Sequence, residues 1–189
     1  MTGSSAVRRS PLAGVALPPG MREVPFLAQV LLRADPGDTD VMTRLAQALD
    51  LSLPVIANRV SGSHDLHALW LGPDEWLIVG QPGSESALEA GCRTALGTAF
   101  GSVVDVSANR AVIELGGPFA RQILESGCSI DLHPRAFGAG HCAQTLLART
   151  GVILHQLTTE PLYRLLVRPS FAIHVAAWLR DAGALLHDT

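Results

Sequence analysis

Asp74, Glu75 and Trp76 place two carboxylates beside an aromatic ring at a tight turn, a set that could grip a cation or an amine. The simpler arrangement is a polar turn with Trp76 entering the core. Asp105, Asn109 and Arg110 flank a second turn, where the forked donors of Arg110 could hold a carboxylate. The competing arrangement is an Asp105–Arg110 pair bracing a hairpin, and the spacing favours it. Ser61-Gly62-Ser63-His64-Asp65 gathers the residue types of a hydrolytic triad, but consecutive residues cannot converge in space and no G-x-S-x-G turn exists. That stretch reads as a polar loop. Gly138-Ala139-Gly140-His141-Cys142-Ala143 begins like a dinucleotide loop, yet lacks the third glycine and follows no strong strand. His141 and Cys142, if adjacent on a strand, point to opposite faces and cannot share one ligand sphere. His133, His155 and His174 are scattered, without metal-ligand spacing. These residues lead us to assign no catalytic, cofactor-binding or metal-binding position.

Composition narrows the chemistry further. All fourteen basic residues are arginine, which removes Schiff-base chemistry, a P-loop lysine and a lysine base together. The net charge is −3 and the arginines form no stripe, so the footprint of a nucleic-acid binder is missing. Only 16% of residues are charged, against a usual quarter. Either a partner covers part of the surface, or an alanine- and leucine-rich core accounts for the number. Three widely spaced cysteines without CxxC spacing imply reduced thiols in the cytoplasm. Pro11, Pro18 and Pro19 interrupt any apolar region after Arg8 and Arg9, so we expect no secretory leader. No apolar run is long enough for a membrane span.

The elements that must position these residues follow from periodicity and turn chemistry. Residues 1 to 20 read as a flexible arm, and 21 to 189 as one domain or two small lobes sharing a core. Val24 to Ala34 is strand-like until Asp35-Pro36-Gly37-Asp38 breaks it. Asp38 or Thr39 can cap a helix carrying Val41, Met42, Leu45 and Leu49 at helical spacing. Two strands follow, His67 to Leu71 and Trp76 to Val79. Ser86-Ala87-Leu88-Glu89 reads as a capping box for a helix ending at Gly97. Ser102 to Val106 and Ala111 to Leu115 are read as strands around a Ser-Ala-Asn turn. Pro118 suits the first turn of a helix holding Phe119, Ile123 and Leu124 on one face. Three antiparallel strands come next: Ala143 to Ala148, Val152 to Leu157 and Tyr163 to Val167. A closing helix from Ser170 to near Gly183 carries Phe171, Val175, Trp178 and Leu179 as an inward stripe. The class is α+β, with mixed, mostly antiparallel sheets and packed helices.

Several of these segments, in this order, carry a family resemblance. Leu71-Gly72-Pro73-Asp74-Glu75-Trp76-Leu77-Ile78-Val79, Asp105-Val106-Ser107-Ala108-Asn109-Arg110, Gly116-Gly117-Pro118-Phe119-Ala120-Arg121 and Gly127-Cys128-Ser129-Ile130-Asp131-Leu132 resemble the gamma subunits of bacterial heterotetrameric sarcosine oxidases. Arg168-Pro169-Ser170-Phe171 with Trp178-Leu179 fits as well, and the similarity spans roughly residues 22 to 183. The wider superfamily contains the glycine-cleavage T-protein, so the resemblance implies its folate-binding core. T-proteins carry an acidic pair after Gly-Gly-Ile that activates or positions the folate-linked amine. Here Gly151-Val152-Ile153-Leu154 is followed by His155 and Gln156. A neutral histidine cannot supply the charge that stabilises a cationic iminium.

The resemblance therefore implies a non-catalytic structural subunit of a complex that oxidises sarcosine to glycine. The products would include hydrogen peroxide and either formaldehyde or 5,10-methylenetetrahydrofolate. It places no cofactor on this chain and puts flavins, NAD, tetrahydrofolate and zinc on partner subunits. The direct partner would be the alpha subunit, and through it beta and delta; the isolated chain would form a homo-oligomer. Two alternatives stand beside it: a stand-alone folate-binding transferase or maturation factor, and an unrelated α+β binding module.

Overall fold

A computed structural model describes residues 8–62 and 65–187. In chain order, strand β1 is Met21–Glu23, β2 is Ala28–Ala34, helix α1 is Thr39–Leu49, β3 is Val60–Gly62, β4 is His67–Gly72 and β5 is Glu75–Gly80. Helix α2 is Glu85–Leu96, β6 is Gly101–Asp105, β7 is Ala111–Gly116 and α3 is Ala120–Glu125. The chain then forms β8 (Cys142–Leu147), β9 (Thr150–Thr158), β10 (Leu162–Val167) and α4 (Pro169–His187). Two five-stranded sheets result, in the orders β3-β4-β5-β2-β6 and β1-β7-β10-β9-β8. Every pairing between these strands is antiparallel.

Strand alternation sorts the apolar side chains into three layers. Val30, Leu32, Trp76 and Ile78 face α1 and α2, where Val41, Leu45, Leu49 and Cys92 meet them. Ile113, Leu115, Leu154 and Leu165 face α3 and α4. The remaining faces meet each other: Leu69, Leu77 and Val79 of the first sheet pack on Val112, Ile153 and Leu166 of the second. The order is thus helices, sheet, sheet, helices. Backbone bonds clip the sheets together at one edge, Val60 N–H to Gly140 O at 2.9 Å and Cys142 N–H to Asn58 O at 2.9 Å.

Local chemistry explains most element ends. The Asp38 carboxylate accepts from Val41 N–H at 3.0 Å and starts α1, which closes at Asp50 in the left-handed region. Four expectations change. The capping box at Ser86 does not form, because α2 begins at Glu85 behind Ser84, and Glu89 is held by Arg93 at 2.6 Å. The strands either side of Ser107 do not form a hairpin, since β6 pairs with β2 while β7 belongs to the other sheet. Helix α4 buries Ala172, Val175, Ala176 and Leu179 and turns Phe171 outward. It also runs through Gly183 instead of stopping there. Finally, from Arg8 onward the N-terminal segment is not a free arm. Leu12 is buried in the α3–α4 core with Val15 and Leu17 beside it. Residues 1–7 of that expected arm lie outside the described residues.

Candidate functional site

Pairing register lines up five residues across the second sheet: Arg22 on β1, Glu114 on β7, Arg164 on β10, His155 on β9 and Cys142 on β8. All five occupy the face turned toward the first sheet, one residue per strand. Glu114 is 2% exposed and ionic on both sides. Its Oε2 accepts from Arg22 Nε at 2.8 Å, and its Oε1 accepts from Arg164 Nε at 3.1 Å and Nη2 at 2.7 Å. A carboxylate this buried is tolerable only because two guanidinium forks satisfy it.

The next residue in the row cannot share that ionic character. His155 is 2% exposed, and its Nδ1 finds no hydrogen-bond partner among the described residues. Burial pushes its pKa from 6.5 down to about 3, with His67 and Arg164 adding to the effect. The ring meets His67 of β4 edge-on at 5.2 Å, so it spans the gap between the sheets as a neutral aromatic. Gln156 points the other way, under the helices. It is equally buried, with Nε2 donating to Thr158 O at 3.0 Å and Oε1 without a partner among the described residues. His155 and Gln156, the two residues after Gly151-Val152-Ile153-Leu154, are therefore on opposite faces, uncharged and sealed. They do not fit a folate-linked amine.

Most of the other candidate residues are engaged in contacts within the fold. Trp76 is fully buried and donates Nε1–H to Pro54 O at 2.7 Å, while Asp74 pairs with Arg33 at 2.6 Å. Asp105 does not pair with Arg110. Its carboxylate accepts from Ser107 N–H at 2.9 Å and from the Ser107 hydroxyl, which holds its pKa below the usual carboxylate value. Ser107 Oγ in turn accepts from Gln29 N–H at 2.9 Å. That chain of bonds fixes the segment crossing from one sheet to the other. Cys142 donates to the carbonyls of Trp70 and Arg59, and burial pushes its thiol up to about 12. Cys92 is raised to about 11 by burial. Neither supplies a thiolate nucleophile near neutrality.

His141 points its Nδ1 at Gly138 of its own turn, and His133 Nδ1 accepts from Arg135 N–H at 3.2 Å. His174 stands exposed on α4. Among the described residues no three His, Cys, Asp or Glu side chains gather as a metal site. Of the Ser-His-Asp cluster, Ser63 and His64 lie outside the described residues, Ser61 donates to Ser52 O, and Asp65 accepts from Gln81. The ionic row was missed from sequence. Its signal was Glu114 inside the apolar run Ala111–Leu115, because a charge there demands buried partners.

The fold defines a class. The glycine cleavage system aminomethyltransferase T of Bartonella henselae superposes with a TM-score of 0.62 over 85% of this chain and 45% of that one, at 14% identity. The two chains therefore share this α+β fold over less than half of the aminomethyltransferase. Sequence then resolves the family. The model of the sarcosine oxidase gamma subunit family matches residues 33–185, and the chain belongs to that family. It is 42% identical to sarcosine oxidase subunit gamma of Corynebacterium sp. strain P-1 over 95% of this chain and 91% of that one. The strain U-96 protein of the same name is 40% identical over 96% and 93%. A chain in the solved heterotetrameric sarcosine oxidase from Corynebacterium sp. U-96, in complex with pyrrole 2-carboxylate, superposes with a TM-score of 0.84 at 40% identity, covering 93% and 94%.

Proposed function

We propose that this chain is the structural gamma subunit of a cytoplasmic heterotetrameric sarcosine oxidase and is not itself catalytic. The observation that carries this reading is its near-complete overlap, at 40% identity, with a chain of a solved heterotetrameric sarcosine oxidase. The chemistry fits a supporting role: His155 and Gln156 are buried and uncharged, and both strongly shifted thiols are protonated. The complex would oxidise sarcosine to glycine, releasing peroxide and either formaldehyde or 5,10-methylenetetrahydrofolate. Flavins, NAD, tetrahydrofolate and zinc would sit on the partners. The chain would pack on the alpha subunit and reach beta and delta through it. Among the described residues no helix is long and apolar enough to cross a membrane.

Tagged chain drawn from its native lysate should carry larger subunits with a flavin absorbance and sarcosine-dependent peroxide production. A colourless chain that comes down alone and binds tetrahydrofolate would overturn the proposal in favour of a stand-alone folate protein.

A further inference from the structure

At the opposite end of the seam from Glu114, the same register brings two arginines together. Ala111 of β7 pairs with Val167 of β10. Arg110 and Arg168 are the flanking residues and stand side by side where the strands leave the sheet. Together with Gln144, Gly151, Ile153 and Leu166 they line a cleft of about 180 Å³. Like charges set opposite one another on paired strands destabilise a sheet unless something lies between them. Neither guanidinium makes an ion pair among the described residues. Burial and the neighbouring Arg168 lower the pKa of Arg110, and Glu75 opposes this only from beyond salt-bridge range. Gly151 keeps the space open, since a Cβ there would meet nothing within 4 Å.

We propose that the Arg110–Arg168 cleft binds a carboxylate carried on a short apolar stem. Two guanidinium forks supply the planar, paired donors that carboxylates select. Ile153 and Leu166, both buried, form an apolar floor that the stem covers and a phosphate would leave uncovered. The volume falls below the roughly 300 Å³ of drug-sized sites, so the ligand is a fragment of a few carbons. The carboxylate comes either from a free metabolite or from an acidic side chain of an assembled partner; both present the same group to the arginines. This site stands independently of the subunit assignment.

The test is an NMR-followed titration of the full chain with butyrate and with inorganic phosphate, at ionic strength matched with chloride. Butyrate should bind at least about tenfold more tightly than phosphate, and Arg110→Gln or Arg168→Gln should each weaken it by at least about tenfold. Gly151→Leu should block binding with both arginines and the circular dichroism spectrum intact, and Arg180→Gln should leave it unchanged. Repeating the titration on purified complex separates the sources. Binding by both preparations assigns the site to a free carboxylate, and binding by the free chain alone assigns it to a partner's side chain. No binding by the free chain, equal affinity for phosphate, or unchanged binding in the two arginine variants overturns the proposal.

Discussion

Glu114 is the charge on which one end of the sheet seam depends. Replacing it with glutamine leaves Arg164, itself largely buried, facing His155 without a counter-ion. Breaking a buried pair from one side costs about 3–5 kcal/mol, and Glu114→Gln should lower stability by that order in a denaturant titration. Arg22→Gln should cost less than Glu114→Gln, because that arginine is mostly in water and Arg164 still pairs with the carboxylate. His155 contributes to the acid response. Its pKa is depressed in the folded state, so the unfolded chain binds the proton first as pH falls below 6.5. The contribution of the neutral imidazole is complete above that pH and is lost progressively down to about 3. His155→Leu should flatten the fall in Tm between pH 6.5 and 4; an acid limb unchanged in the variant would remove His155 as its cause.

At the scale of elements, the β8–β9 hairpin carries two consecutive non-glycine residues in the left-handed region. Leu147 pairs with Thr150, and Ala148 and Arg149 between them have φ of 48° and 64°. Two-residue hairpins need this left-handed geometry, which glycine adopts without the about 1–2 kcal/mol that other residues pay. Arg149→Gly should therefore raise Tm in a thermal melt, and an unchanged or lower Tm would show that the entropy of the more flexible unfolded chain outweighs the relief. The elements also separate what local sequence encodes from what it cannot. Helix α1 was legible because its cap and apolar spacing lie within a dozen neighbouring residues. The β6–β7 link was misread because a Ser-Ala-Asn turn says where a strand ends but not which sheet the next one joins. The ion pairs of Glu114 join β1, β7 and β10, strands far apart in sequence, so only its single out-of-place charge was visible. Arg110 was singled out as a carboxylate holder, while Arg168, its neighbour across the strands, was seen only as part of a family pattern.

Over the whole molecule, burial is complete inside the three layers and incomplete outside them. Phe100 is 96% exposed at the entry to β6, and Val55 and Ile56 are about two-thirds exposed ahead of β3. A free monomer gains nothing from such side chains, since each holds apolar area in water at about 25 cal/mol per Å². A chain built to be covered by partners leaves them where a partner removes that area, which agrees with its sparse charge. Deprived of those partners, the isolated chain should cover the same residues with copies of itself and elute above its 19.9 kDa mass. Substituting Ile56 and Phe100 together by serine should return it to the monomer position in size-exclusion chromatography. Neither residue contributes to a core cluster, so the midpoint of unfolding should move by no more than surface substitutions usually cause, about 0.5 kcal/mol each. A wild-type chain that already elutes as a monomer would show that exposed apolar surface alone does not drive association.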